Sequence, residues 1–225
     1  MARMTAQDMV SEVRLHLGGE TTETLSDAQI LRWINRAYTE LASSYNFDEL
    51  EASTSITTSS GTAEYEASVG DILSVISVVD DTNNVKLYPW TRYQYDAATQ
   101  GSASSITGTP FHWHISGVGS TGYRQFTFYP TPAGTYTINV IYKKKPTDLV
   151  ISPVADITSS ILLEPWDEVM VLLAVSMGWR ALGDDDRSYK AKMSANDASR
   201  IAERSSFTAS QVPFRPGSIV GRALR

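Results

Sequence analysis

The spacing of apolar residues changes twice along the chain, from helical to strand-like and back to helical. Near the N-terminus the apolar positions recur at helical spacing, at Met9, Val13 and Leu17. Residues with this spacing share one face of a helix. Thr5 and Asp8 have the spacing of a capping box, and Gly18 with Gly19 provides a stop signal. The pattern therefore predicts a short first helix.

A second amphipathic helix is predicted from roughly Asp27 to Tyr45. Ser26 and Gln29 have the spacing of its capping box. The apolar stripe, broadened by aromatic residues, consists of Ile30, Trp33, Ile34, Ala37, Tyr38, Leu41 and Tyr45. A stripe of this width is typical of a helix that packs against a core.

Between Leu50 and Tyr142 the apolar residues follow a period of two. They include Ile56, Tyr65, Val85, Leu87, Phe111, Trp113, Ile115, Phe126, Phe128, Tyr136, Ile138 and Val140. Segments rich in glycine and proline separate these runs. Short alternating strands joined by such turns predict a small antiparallel sandwich or barrel. The segment from Thr91 to Thr99 predicts a short helix that interrupts it.

The helical pattern returns after Pro153. Pro165 suits a first helical position, and Asp167 and Glu168 complement the helix dipole there. The following residues are apolar nearly all round the helix up to Gly183, which predicts a buried helix. A last helix carries small residues on one stripe, at Ala191, Ala195, Ala198 and Ala202. Such a stripe lets another helix approach closely.

These patterns predict an α+β protein in which helices from both chain ends form a bundle, with an antiparallel β domain inserted between them. The helical bundle comprises 1–49 and 150–204, and the β-sandwich or barrel comprises 50–149. Residues 205–225 form an extended C-terminal arm.

The arm differs from the rest of the chain in charge and pattern. It has three arginines, no acid and no helical or strand period. So short a segment cannot bury its own apolar side chains, which predicts that it docks on a neighbouring subunit or another protein. The alternative is a frayed terminus. The predicted binding residues are Phe207, Val212, Pro213, Phe214, Arg215, Pro216, Ile219, Arg222, Leu224 and Arg225.

Composition restricts the function further. The formal net charge is −6, and the arm contributes three positive charges, so the remainder of the chain stands at −9. An acidic surface disfavours nucleic-acid binding, because affinity for phosphates comes mainly from Lys and Arg. The absence of cysteine excludes disulfides and thiolate metal sites. No signal segment or long apolar run is present, so we expect a soluble, non-exported chain.

Three groups of residues invite a chemical interpretation. His112 and His114 project from one face of a strand and could begin a metal site, although partly exposed strand histidines are the favoured interpretation. The acids of 184–186 could attract a cation or cap a helix. The lysines of 143–145 could contact phosphate or form a solvated strand end. None of these is an enzyme signature, so we expect no catalysis, no cofactor and no required metal.

The string SDAQILRWINRAY, from Ser26 to Tyr38, resembles the second helix of head-to-tail adaptor proteins of tailed bacteriophages. Its structural core motif consists of Trp33, Ile34, Asn35, Ala37 and Tyr38. The strings GTP at 108–110, FYPTP at 128–132 and IYKKKP at 141–146 resemble the β insertion of the same family. With the EPW string at 164–166, the resemblance extends over roughly Thr5 to Ala202.

The resemblance implies a structural virion protein at the head–tail junction, made in the host bacterial cytoplasm. Such proteins form a homo-oligomeric ring, usually twelve-fold, that joins the portal to the tail nozzle or tail tube. DNA passes through the lumen without specific binding, and no membrane is involved. The alternative is a carbohydrate- or receptor-binding module of the virion tail, in which Trp90, Tyr93 and Tyr95 stack on sugar rings. A hydrolase is a third hypothesis.

Overall fold

The computed structural model describes residues 4–19, 24–99, 106–151 and 165–206. The chain divides into two compact units, Met1–Tyr38 with Asp148–Arg225, and Thr39–Thr147. Helices precede and follow a strand-rich region along the chain, so the predicted α+β class is confirmed. We call Met1–Tyr38 with Asp148–Arg225 the helical unit and Thr39–Thr147 the β unit. The sequence-based domain boundaries remain a prediction.

Each helix predicted from the sequence is present. The helices are α1 (Ala6–His16), α2 (Asp27–Ser44), α3 (Arg92–Thr99), α4 (Pro165–Ala181) and α5 (Asp185–Ser206). The strands are β1 (Glu51–Thr57), β2 (Glu64–Glu66), β3 (Ile72–Asp80), β4 (Val85–Pro89), β5 (Thr107–Gly108), β6 (His112–Val118), β7 (Arg124–Tyr129), β8 (Thr131–Pro132) and β9 (Thr137–Lys144).

Local signals explain where the helices begin and end. The Asp8 backbone N–H donates to Thr5 Oγ1 at 3.1 Å, and the Thr5 N–H donates to Asp8 Oδ2 at 3.0 Å, which is a complete capping box. Gly18 and Gly183 both have positive φ. Gly18 follows α1 and Gly183 follows α4. In each case the N–H of the next residue donates to the carbonyl five residues before it, which closes the last turn of the helix.

Seven of the strands form one sheet in the order β1-β9-β3-β4-β6-β7-β2, and β5 pairs with β8 in a separate two-stranded parallel sheet. Within the seven-stranded sheet all neighbours are antiparallel except β4 and β6, which are parallel. The connection between these two strands contains α3 and exceeds the dozen or so residues that a parallel crossover needs. β1 and β2 lie at opposite ends of the strand order, yet Thr54 Oγ1 and Ser68 Oγ are 2.8 Å apart. The sheet is therefore strongly curled.

The concave side of this sheet holds the core of the β unit. Its buried members are Ile56, Ala67, Ile72, Val78, Leu87, Phe126, Phe128, Ile138, Val140 and Tyr142. Most occupy the alternating positions that the sequence pattern identified, and Trp113 and Ile115 of β6 pack against them as partly buried residues. Side chains at intervening positions point to the opposite face of the sheet.

In the helical unit, α4 is the most completely buried helix. Leu173 is buried, which fits the prediction of a buried helix, whereas Leu172 and Trp33 are only half-buried. Gly178 explains the close approach of α1 to α4. A Cβ at this position would lie 2.7 Å from Leu17 Cδ1 and 3.2 Å from Trp33 Cζ3. Any side chain at this position would force Leu17 to shift.

Asn35 fixes the place where the chain returns from the β unit to the helical unit. Its Nδ2 donates to the Leu149 carbonyl at 2.9 Å, and its Oδ1 accepts from the Leu149 N–H at 2.7 Å. The Asn35 side chain therefore provides a hydrogen-bond partner for both the N–H and the carbonyl of Leu149. Leu149 is buried and belongs to no helix or strand, so these groups have no partner in regular secondary structure.

We expect Asn35→Ala to lower the free energy of unfolding by about 1–3 kcal/mol, because both Leu149 backbone groups lose their partner. Alanine has the higher helix propensity, so any loss must come from the lost contact. Urea denaturation followed by circular dichroism measures the change. Arg36→Ala, an exposed substitution at the next position of α2, is the control. Equal stability of the two variants would contradict this role for Asn35.

Candidate functional site: the outer face of the β unit and the exposed helix faces

The residues predicted to bind a neighbour, from Phe207 to Arg225, lie outside the described residues. Their docking therefore stays a prediction. The residues of the core motif are described, and they serve the fold: Ile34, Ala37 and Tyr38 are buried, Trp33 is half-buried, and Asn35 binds Leu149. This motif is structural rather than a ligand site.

The histidine pair lies on the outer face of the sheet, and β6 places both imidazoles on that side. His112 is half-buried, but His114 is only 3% exposed. The interpretation of the pair as partly exposed strand histidines is therefore wrong for His114. The reason is α3, whose Tyr95 ring packs 4.5 Å from the His114 ring and covers it.

His114 lies in a buried pocket beneath α3, against the Tyr95 ring. Its Nε2 atom and the neighbouring Thr127 hydroxyl have no hydrogen-bond partner within the described part of the chain. Burial lowers the pKa of His114, and the charge of Arg92 lowers it further. Asp96 and Glu64 act in the opposite direction. The neutral imidazole is thus the form that the pocket favours.

The described residues contain no group of three or more His, Asp or Glu side chains arranged to hold a metal ion. The acidic run 184–186 begins a helix instead. Asp184 Oδ1 accepts the Arg187 N–H at 2.9 Å, and its other oxygen lies 3.2 Å from Arg187 Nε. The predicted capping role of this run is confirmed.

The lysines of 143–145 were expected to form a solvated strand end, and Lys143 does not fit this expectation. Lys143 is buried and donates its ammonium to the Tyr45 carbonyl at the C-terminal end of α2. A cation at this end complements the helix dipole. Burial lowers the pKa of Lys143. This side chain therefore holds the end of α2 to β9 and is not available for phosphate.

Glu66 organises the β6–β7 loop, which the sequence did not suggest. Its carboxylate accepts hydrogen bonds from the backbone N–H and the hydroxyl of both Ser120 and Thr121. The Thr121 hydroxyl contributes most to lowering the pKa of Glu66. A side chain on Gly119 would collide with this carboxylate.

A cluster of exposed and half-buried rings covers the ends of β4, β6 and β7. We call it the aromatic patch; it consists of Tyr88, Trp90, Phe111, His112 and Tyr129. Tyr88 is 60% exposed and Phe111 43%. The cluster arises from register, because His112 pairs with Tyr88 on one side and with Tyr129 on the other. Sequence reasoning missed it, since only strand pairing brings these positions together.

The three aromatics proposed to stack on a sugar do not act together. Tyr93 is 82% exposed, Tyr95 is buried on the face of α3 that packs against His114, and Trp90 stacks on Tyr129 at 5.0 Å. Only Trp90 belongs to the aromatic patch. A sugar platform built from all three is therefore wrong.

The helical unit exposes apolar side chains on two helices. Ser188, Ala195 and Ala202 are buried on one side of α5, which packs against α4. Its other side carries three large exposed residues, Tyr189, Met193 and Ile201. Leu15 on α1 is exposed as well. These exposed apolar side chains are candidates for contacts with another protein.

We expect folding to weaken as the pH falls through about 6.5 towards the lowered pKa of His114, since only the unfolded chain then binds a proton there. His114→Phe keeps a ring against Tyr95 and removes this titration. The fall in melting temperature between pH 7.5 and pH 5.5 should therefore be smaller in His114→Phe than in the unmodified chain. His16→Gln, on α1, is the control. An unchanged pH dependence in His114→Phe would show that another group is responsible.

None of the described helices is long and apolar enough to cross a membrane.

No curated protein matches the sequence. The model of the SU10 adaptor protein family matches residues 4–217. Because this match spans far more than half of the chain, the protein belongs to the SU10 adaptor protein family and is a structural phage adaptor of the head–tail type, a virion component that interacts with other head or tail components.

Proposed function

We propose that the chain is a non-catalytic subunit of a homo-oligomeric ring that joins the portal of the phage head to the tail nozzle or tail tube. Family membership over residues 4–217 is the observation that carries this proposal. The expected symmetry is twelve-fold. In this proposal the regions 1–49 with 150–204, 50–149 and 205–225 act as helical bundle, β domain and connecting arm.

The exposed helix faces support assembly. Tyr189, Met193 and Ile201 lie on the side of α5 away from α4, where a neighbouring subunit would cover them. Burying such side chains gains roughly 1.5–3 kcal/mol each. A ring repeats this contact at every subunit, so a modest gain per contact supports a closed assembly.

The arm supplies the connection in this proposal. It carries Arg215, Arg222 and Arg225 without any acid, while the remainder of the chain stands at −9. Opposite charges favour docking of the arm on another subunit or on the portal, and they act chiefly on orientation and encounter rate. Phe214, between Pro213 and Arg215, is the best apolar anchor because its backbone loses little entropy on docking.

The negative charge of the chain outside the arm suits a channel through which DNA passes. Negative walls give phosphates no anchors, so DNA slides without binding. Acidic side chains of the ring therefore face the lumen, and no sequence-specific contact is required.

Light scattering of the purified chain, alone and with the portal protein, tests the assembly. We expect a ring-sized species with the portal. Deleting Ser206–Arg225 should leave the circular dichroism spectrum and melting temperature unchanged while weakening portal attachment. A chain deleted only from Arg222 is the matched control and should attach more tightly than the longer deletion. If the full chain stays monomeric with portals present, the ring proposal is wrong; if the truncated chain attaches equally well, the arm is a frayed end.

An image of the assembled particle by electron cryo-microscopy tests the channel. Along the narrowest part of the lumen, Asp and Glu should outnumber Lys and Arg. A lumen dominated by lysine and arginine would contradict the sliding role, because it would retain DNA.

A further inference from the structure

The aromatic patch on the β unit has the features of a docking surface for a proline-containing segment. The His112 ring lies 3.8 Å from Trp90, 4.6 Å from Phe111 and 6.4 Å from Tyr88. The Tyr129 ring also stacks on Trp90, at 5.0 Å. Strand pairing holds Tyr88, His112 and Tyr129 in one row, so the rings are positioned before any ligand binds.

Preformed rows of aromatic rings bind proline-rich segments with the spacing Pro-x-x-Pro, because the two prolines restrict the backbone and lower the entropy lost on binding. The chain contains this spacing in its arm, as Pro213-Phe214-Arg215-Pro216. Phe214 adds an aromatic ring between the two prolines. The arm therefore has the chemistry that fits the patch.

Charge complementarity supports the same occupant. The β unit, from Thr39 to Thr147, contains ten acidic and six basic residues, so it is net negative. Glu64 acts electrostatically on Tyr95, whose ring is 6.2 Å from that of Tyr129 in the patch. Asp96 acts on Tyr95 as well, but it is paired with Arg92 at 2.9 Å. Glu64 is therefore the acidic group that Arg215 of a docked arm would meet.

We propose that the aromatic patch of one copy binds the segment Pro213–Pro216 of a neighbouring copy. The proposal rests on the proposed assembly of several copies and specifies one surface that holds them together. The segment begins close to the end of α5 at Ser206, so an extended arm reaches at most roughly 25 Å before Pro213. The copy that receives it must therefore be an immediate neighbour in the assembly.

Photo-crosslinking in the full chain tests this contact. Phe214 is replaced by benzoylphenylalanine in a copy labelled with heavy isotopes, which is mixed with unlabelled chains, assembled and irradiated. Mass spectrometry should find heavy-to-light crosslinks in peptides that contain Tyr88–Trp90 or Phe111–Trp113. Tyr88→Ala with Phe111→Ala in the unlabelled copy should reduce their yield by about tenfold, as expected when two central aromatic contacts are lost.

Tyr93→Ala is the matched control, because Tyr93 is an exposed aromatic residue of the same unit outside the patch; its crosslink yield should not change. Melting curves confirm that each variant folds. Crosslinks only within one copy, or to another surface of a neighbour, would overturn the proposal while leaving ring assembly intact. Failure to assemble at all would contradict the proposed function as well. Loss of the crosslink on adding a soluble oligosaccharide, with assembly retained, would assign the patch to a sugar and also overturn the proposal.

Discussion

The chain leaves the helical unit after Tyr38 and re-enters it at Asp148, after the whole of the β unit. The fold depends on contacts that hold this point of return. Closing so long a loop costs conformational entropy, which contacts at the closing point must offset. Asn35 provides such a contact, because its amide pairs with both backbone groups of Leu149. This explains why a polar residue stands in the apolar motif around Trp33 and Ile34. A purely apolar residue would pack there but would leave the returning backbone without partners.

Features set by a few neighbouring residues could be predicted from the sequence. The Thr5–Asp8 capping box, the stop at Gly18 and the Asp184 cap depend only on residues within one or two turns. The period of two likewise identified most strand positions, since alternation reflects a single buried face. The parallel pairs, β4 with β6 and β5 with β8, were not predicted, because strand order depends on contacts between segments far apart in sequence.

The candidate site was harder to predict for the same reason. His114 is exposed or buried according to whether α3 packs on the sheet, and nothing near it in sequence indicates this cover. Lys143 is buried because the end of α2 offers it a carbonyl. The aromatic patch exists only in the observed register, since a shift by one residue would turn Tyr88, His112 and Tyr129 to the other face.

A structural adaptor needs contacts that are repeated and oriented, and the described surfaces suit this need. The patch presents rings already fixed by strand pairing, so a docking segment would lose little of its binding energy to reorganising the surface. The exposed face of α5 offers apolar area, while the arm offers charge and two prolines. In the proposed assembly the apolar area would supply affinity, and the charge would supply orientation. A subunit that combines them on separate surfaces can join its neighbours in one defined arrangement.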